Sequence, residues 1–379
     1  MANDTAPAPA TAPPGRGAAP ARLWFVDNLR VALIALVVLH HVAAVYSGIP
    51  AWYYTEKPSS GAAGLVLSIF MVLNQAWFMG AFFLLAGYFT PGSYDRKGPR
   101  AFLRDRLVRL GIPLVVFYFV LNPLLYLGGY HGGPLLDAYA HAIGSGPLWF
   151  VIALLAFDGS YAAFRFATRN RTPRDRTPRP PTYPQVIGFV LALALVSYAL
   201  RIVIPEGFAV PVIDFPTSAY LPQYVSFFVL GVVAYRRGWF HAVTARMGRA
   251  GLGMAVGATL VLLPLALASG LDAWVGHGTL SSLFFALWDS AFAVGIVLAL
   301  VAFFRRRFNA QGRLRRYLGG NVFAVYVTHA FVVTAAAYAL GPLPIPTLPK
   351  FAIAAVVAVP ACFAAAGPIR RIPGVRRVL

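Results

Sequence analysis

The chain of 379 residues is 59% hydrophobic and only 12% charged, and its mean hydropathy is +0.68. Soluble domains carry about 25% charged residues, so this composition excludes a soluble globular protein and indicates a polytopic membrane protein. The net charge of +20 does not indicate a nucleic-acid partner, because the basic residues fall in short clusters between apolar runs.

Residues 1–21 form a segment rich in Ala and Pro that contains Arg16 but no apolar run. We expect a disordered cytoplasmic tail here and not a cleaved signal peptide, so the first apolar run should remain in the membrane. Residues 22–379 then form one transmembrane domain. The single cysteine, Cys362, leaves no disulfide within the chain and no Cys-rich metal site, and we expect no metal.

Ten apolar runs follow the tail, each long enough to cross the hydrocarbon core of a bilayer, which takes about 20 residues. They predict an all-α polytopic membrane protein of about ten transmembrane helices. Their approximate bounds are 27–47, 64–90, 108–128, 147–168, 184–204, 219–236, 250–270, 279–304, 321–340 and 350–368.

The distribution of basic residues predicts how these helices are oriented. Of the 32 Lys and Arg residues, 29 lie in or next to the tail, the connections after the even-numbered runs, or the C-terminus. By the positive-inside rule both termini are cytoplasmic, in a multi-pass protein of the inner (cytoplasmic) membrane. The connection 169–183, rich in Arg and Pro, should be a solvated cytoplasmic linker. The exceptions are Lys57, Arg201 and Lys350.

The first run opens with Asp27 and Arg30 and contains His40 and His41. Ionisable groups at membrane depth cost about 2.5–3.5 kcal/mol each, so they usually face a cavity and carry a function. On a helix, about three full turns with about 20° of offset separate Arg30 from His41, whereas His40 is offset by about 80°. Asp27, Arg30 and His41 therefore share a stripe, and the other imidazole lies off it. The alternative is a histidine that only hydrogen-bonds to a neighbouring helix.

Arg106 and Arg109 are three residues apart, where the third run leaves the cytoplasm. This spacing puts them on one helix face, and two planar guanidiniums there form a site suited to phosphate. The alternative is that the pair only obeys the positive-inside rule or binds lipid phosphates.

Other candidates lie further along the chain. Trp149 stands at the outer start of the fourth run, where an ordinary interfacial aromatic is the alternative, and His329 is a second buried imidazole in the ninth. Asp158, Arg201 and Asp289 are weaker candidates at membrane depth. For these the alternatives are that Arg201 snorkels to the outer surface and that Asp158 faces solvent near the inner end.

Six segments, in their order along the chain, resemble the acyltransferase-3 family of multi-spanning bacterial membrane acyltransferases. No single segment is specific, but the ordered set runs from residue 22 to about residue 335. The segments are Asp27–Arg30 with His41 fourteen residues after the aspartate, Phe82–Gly87, Arg106-x-x-Arg109, Leu148–Phe150, Leu230-Gly231 and Tyr326–His329.

The resemblance implies ten or more helices around a central pore and O-acylation of a sugar by acyl-CoA from the cytoplasm, with acetyl-CoA or another short-chain thioester as co-substrate. The acceptor would be a surface glycan or a glycosylated natural product. The resemblance also implies that His41 is the catalytic histidine and that Arg106 and Arg109 match the family's Arg pair. The chain departs from the family pattern at Asn28, where many members have Gly, and in its doubled histidine, which leaves His40 as the alternative.

A mechanism follows for such an enzyme. The neutral imidazole of His41 would take the proton of the acceptor hydroxyl as it attacks the thioester. Arg106 and Arg109 would bind the nucleotide phosphates, while Arg30 would bind phosphates nearer the thioester or position Asp27. Without a serine elbow motif, an acyl-enzyme on Ser or Cys is not expected, and an acyl-histidine stays open. The competing hypothesis is a secondary transporter that uses buried His and Arg as proton relays.

Overall fold

The computed structural model describes residues 23–130, 132–168, 179–210, 215–270 and 272–379. Within these residues ten helical segments are long and apolar enough to cross a membrane, and no strand forms, which confirms the predicted all-α polytopic class. The segments are α1 (Trp24–Tyr46), α2 (Gly61–Lys97), α3 (Pro99–Leu127), α4 (Leu135–Ala167), α5 (Tyr183–Val203), α6 (Ser218–Arg236), α7 (Ala245–Leu267), α8 (Leu280–Arg307), α9 (Arg313–Leu340) and α10 (Thr347–Arg371).

The start of α1 and the end of α10 lie on the same side of the bundle, because the Phe25 backbone N–H donates to Asn309 and the Arg370 side chain donates to Asn321, both near the start of α9. This side also holds the arginine clusters that follow α2, α6 and α8, and we call it the basic side. We call the other side of the bundle the opposite side. The predicted tail at 1–21 and residues 169–178 of the predicted linker lie outside the described residues.

The helix α1 lies inside the bundle and packs against α2, α8, α9 and α10. Fourteen of its 23 residues are buried, His40 among them, and Asp27, Arg30 and His41 are partly buried. At its start, the Asn28 side-chain amide donates to the carbonyl oxygens of Phe308 (2.6 Å) and Ala310 (3.2 Å), in the connection between α8 and α9. This residue, where the family often has Gly, therefore anchors α1 to a basic-side loop.

The helices α2 and α6 pack backbone against backbone. A Cβ atom at Gly87 would collide with the carbonyl oxygen of Phe228, and one at Gly231 would collide with that of Leu84. Small residues allow this close approach, which is how membrane helices gain van der Waals contact where lipid removes the hydrophobic drive. Both glycines belong to segments that carry the family resemblance, and the structure gives them a packing role.

The helix α3 is irregular, because π-helical turns interrupt it at Leu107–Gly111 and Phe117–Leu121. Each π-turn ends two residues before a proline, Pro113 or Pro123, whose ring and missing N–H disturb regular α-helical hydrogen bonding. Turns of this kind are rare in helices and frequently occur at functional sites. The first of them contains Arg109, so the geometry of the predicted Arg pair departs from that of a regular helix.

Candidate active site

Two imidazoles from distant parts of the chain, the buried His329 and the partly buried His41, meet within the bundle. The Nδ1 atom of His41 on α1 lies 3.1 Å from Nε2 of His329 on α9, and the two rings stack with centroids 5.0 Å apart. The other ring nitrogen of His329, Nδ1, lies 2.7 Å from the backbone carbonyl oxygen of Tyr326. The structure thus brings together two histidines that the sequence offered as separate candidates.

The hydrogen bonds of this pair determine where the protons lie on the neutral rings. A carbonyl oxygen only accepts, so the hydrogen of His329 is on Nδ1, and its Nε2 is an acceptor. The Nδ1 atom of His41 must then donate to that Nε2, which leaves the Nε2 atom of His41 with a free lone pair. His41 is therefore held in a tautomer that can accept a proton at Nε2.

His40 points to a different neighbour, as the helical angle predicts. Its Nδ1 atom lies 3.2 Å from the side-chain amide nitrogen of Asn74 on α2, and its ring stacks on Phe78 with centroids 5.1 Å apart. It touches His41 only edge to face, at 5.5 Å between ring centroids. The two adjacent imidazoles therefore belong to separate hydrogen-bond systems.

A cavity of about 430 Å³ runs from the basic side toward the histidine pair. Its inner lining includes Val37 on α1 and Tyr326 on α9, and His41 lies one helical turn beyond Val37. The outer part of the cavity is strongly basic. The arginines that line it are Arg30, Arg106, Arg109, Arg370, Arg376 and Arg377.

The predicted pair Arg106 and Arg109 lines this cavity, but each guanidinium is held by a carboxylate. The Nε atom of Arg106 lies 3.0 Å from the fully buried Asp158, and that of Arg109 lies 3.1 Å from Asp105. Asp158 also accepts a hydrogen bond of 2.8 Å from Thr90. The alternative that Asp158 faces solvent is therefore wrong, because this carboxylate is buried and pairs with Arg106. The side chain of Arg109 is 63% exposed, which leaves most of it accessible to a ligand.

The remaining residues of the predicted stripe lie at its basic end. Arg30 lines the cavity, whereas Asp27 is not part of the lining and lies beside Gly319 at the start of α9. Fourteen residues of helix put Asp27 about 21 Å from His41, too far for contact. Trp149 is also outside the cavity, stacked on Tyr224 at 5.5 Å, whereas Phe150 is part of the lining.

On the opposite side, residues 47–60 cover the histidine pair. The indole of Trp52 stacks on His41 with ring centroids 4.1 Å apart. Two contacts with α10 anchor the segment: Glu56 pairs with the buried Lys350 at 2.7 Å, and Ser59 exchanges hydrogen bonds with Thr347. We call residues 47–60 the cover segment.

A buried ion cluster lies near the opposite-side end of α5. One guanidinium nitrogen of Arg201 lies 2.5 Å from Asp289 and 3.0 Å from Glu206, and the Arg201 side chain is fully buried. The alternative that Arg201 snorkels to the outer surface is therefore wrong, because two carboxylates pair with it inside the protein. Burial raises the pKa of Glu206, in the loop after α5, to about 7, although the Arg201 charge acts to lower it.

Several residues of the site carry no signal that sequence reasoning could use. Trp52 lies in a loop between runs, and Lys350 is only an exception to the charge pattern. Arg370, Arg376 and Arg377 act in the sequence as a topology signal, yet they line the cavity, and Arg370 donates to Asn321 at 3.1 Å. Their positions in the site depend on contacts between residues that are distant in the sequence.

An arginine-lined cavity that stops one helical turn short of a histidine pair, inside ten membrane-spanning helices, defines a membrane protein built around an intramembrane site. The family model of the acyltransferase-3 group, described as an acyltransferase domain, matches residues 23–367. The chain therefore belongs to the acyltransferase-3 family, as its ordered motifs predict.

Curated relatives are similar over most of their length. Two proteins named glucans biosynthesis protein C, from Salmonella schwarzengrund (strain CVM19633) and Salmonella typhi, are each 27% identical over 340 residues, covering 84% of this chain and 84% of the relative. The protein of that name from Escherichia coli (strain K12) is 24% identical over 339 residues, with the same coverage. No solved structure matches the chain significantly.

Proposed function

We propose that this membrane acyltransferase transfers an acyl group from acyl-CoA to a hydroxyl of a sugar-containing acceptor, with His41 as the general base. The observation that carries the proposal is the arginine-lined cavity that stops one helical turn short of the His41–His329 pair. It joins a binding region for a polyanion to a group that can accept a proton, and acyl transfer from a thioester carried by a nucleotide needs both.

The basic end of the cavity suits the phosphates of acyl-CoA. Guanidiniums bind phosphate through parallel charge-assisted hydrogen bonds, and Arg109, Arg376 and Arg377 belong to a lining with six arginines. In this proposal the basic side is cytoplasmic, both termini lie there, and the membrane is the inner one. The pantetheine arm then passes Arg30 and Val37 and brings a short acyl group, such as acetyl, to His41.

The proposed step is a direct transfer. The Nε2 atom of His41 takes the hydroxyl proton while the acceptor oxygen forms a bond to the thioester carbonyl carbon. The carbon–sulfur bond breaks, and the imidazolium returns the proton to the departing sulfur, so that CoA leaves as a thiol. His329 accepts from Nδ1 of His41 throughout and keeps Nε2 directed to the acceptor, which is the orienting role of the third member of a catalytic triad.

The acceptor class rests on the relatives. Because they are named for glucan biosynthesis, we propose a glycan or another sugar-containing molecule as the acceptor here. A sugar hydroxyl is a neutral nucleophile, and it needs the base that the His41 tautomer supplies.

The test uses the purified protein in nanodiscs with acetyl-CoA and a glucan oligosaccharide. Release of free CoA thiol, followed with a thiol reagent, should depend on the oligosaccharide, and mass spectrometry should find an acetyl ester on the sugar. Movement of a solute across vesicles without any CoA release would contradict the proposal and support the transporter hypothesis.

A further inference from the structure

A second cavity, of about 330 Å³, lies in the basic-side half of the bundle between α5, α6 and α8. Its lining is almost entirely aliphatic and aromatic. The lining residues that extend furthest into the membrane include Phe189 on α5, Leu230 on α6 and Val294 on α8. No residue lines both this cavity and the arginine-lined one.

Two polar groups that form no ion pair or hydrogen bond with any described residue lie at the basic-side end of this apolar cavity. Arg237 lies at the end of α6, with its guanidinium 5.8 Å from the ring centroid of Trp239, and it forms no ion pair with any described residue. The preceding residue, Arg236, is paired with Asp95 at 2.7 Å. The indole N–H of Trp239 is buried and has no acceptor among the described residues. A buried donor without a partner is costly, which points to an acceptor supplied from outside the chain.

We propose that this cavity binds one acyl chain of an anionic phospholipid of the bilayer. The chain fills the apolar space between α5, α6 and α8, and the phosphate accepts hydrogen bonds from the Arg237 guanidinium and the Trp239 indole N–H. Position supports this occupant, because cations and Trp at the end of a membrane span lie at headgroup level, where lipid phosphates are concentrated. Charge supports it as well, since one unpaired guanidinium matches one phosphodiester.

Acyl-CoA, the acyl donor of the proposed reaction, fits this cavity less well than a phospholipid does. Leu84 lines the apolar cavity, whereas its neighbour Leu85 lines the arginine-lined cavity. The helix α2 therefore separates the two cavities. Among the described residues, no histidine lines the second cavity and one arginine lies at its mouth, whereas six line the other cavity. The lipid site is therefore independent of the proposed function and can be tested without an activity assay.

The experiment compares wild-type protein with three variants purified in mild detergent. Arg237→Gln removes the phosphate partner, and Val297→Phe places a ring in the apolar space. Arg246→Gln is the matched control, because this exposed basic-side arginine lines neither cavity. Native mass spectrometry measures retained phosphatidylglycerol and phosphatidylcholine, and size-exclusion chromatography verifies that each variant is folded.

We expect wild type and Arg246→Gln to retain one phosphatidylglycerol in preference to phosphatidylcholine. Arg237→Gln should bind phosphatidylglycerol about tenfold more weakly, the loss expected for one charge-assisted hydrogen bond. Val297→Phe should retain neither lipid. Equal retention by folded Arg237→Gln and wild type would overturn the headgroup assignment. Retention by Val297→Phe, or displacement of the lipid by palmitate or inorganic phosphate alone, would overturn the phospholipid as occupant.

Discussion

The two approaches to His41 differ in nearly every property. From the basic side an open cavity of about 430 Å³, lined by arginines, leads to within one helical turn of the imidazole. From the opposite side the cover segment closes the approach, with Trp52 stacked on His41 and the Glu56–Lys350 ion pair behind it. The charged approach suits an anionic donor that enters a preformed space. The aromatic approach carries no arginine cluster among the described residues and is closed in this structure.

The largest expected effect concerns the residue between the two approaches. A general base contributes about 10²–10⁴-fold to rate, so His41→Ala should lose that much transfer activity while it still folds and inserts. His40→Ala should lose far less, because His40 bonds to Asn74 and stands outside the His41–His329 system. The measurement is CoA release by purified variants of equal thermal stability.

Three other outcomes of this comparison are informative. If His40→Ala is inactive and His41→Ala is not, the assignment from the helix face is wrong. If both variants stay active, His329 is the next base to test. If both only lower expression without a selective loss of turnover, the two imidazoles are structural.

The cover segment is expected to give the second largest effect. Lys350→Met leaves the Glu56 carboxylate without its cation, and breaking a buried pair in this way costs about 3 kcal/mol. The thermal midpoint should therefore fall by several degrees. The double variant Lys350→Met/Glu56→Leu removes both charges and should recover most of that loss, because no unpaired charge remains. A double variant that is no more stable than the single one would show that the ion pair does not hold the cover segment.

On the basic side the expected effect is on binding and not on folding. Arg109→Gln should weaken acyl-CoA binding about tenfold, because a charge-assisted hydrogen bond is lost from a largely exposed side chain. Arg306→Gln, an exposed arginine outside the cavity, is the matched control. Arg106→Gln should instead lower the thermal midpoint, since it leaves the buried Asp158 unpaired. Isothermal titration calorimetry with acetyl-CoA measures the affinity of each variant. If Arg109→Gln binds acetyl-CoA as tightly as the wild type, Arg109 serves only the positive-inside rule and does not bind the donor.

The sequence predicts well what depends on local pattern. Ten apolar runs predict ten spans because a bilayer requires each spanning helix to be apolar and about 20 residues long. The helical angle predicts that His40 and His41 face different neighbours. Contacts between distant residues were not predictable. The sequence leaves snorkelling open for Arg201 because its partner Asp289 is 88 residues away, and it gives no sign that Trp52 stacks on His41.

The smallest expected effect concerns pH on the opposite side. Glu206 has a pKa of about 7 in the folded protein, against an ordinary value of 4.5, because burial penalises its charged form, and the nearby Asp289 charge adds to this effect although Arg201 and a hydrogen bond with Tyr220 oppose it. A carboxyl whose pKa is raised by folding contributes stability that is fully present below about pH 4.5 and is lost as the pH rises through 7. The thermal midpoint of the wild type should therefore fall by a few degrees between pH 5 and about pH 8. Glu206→Gln cannot ionise and should show a smaller fall over the same range, with the difference between the two curves reporting this one group. If the two curves are parallel, Glu206 is already charged at pH 5, and the Arg201 cluster holds both carboxylates as anions.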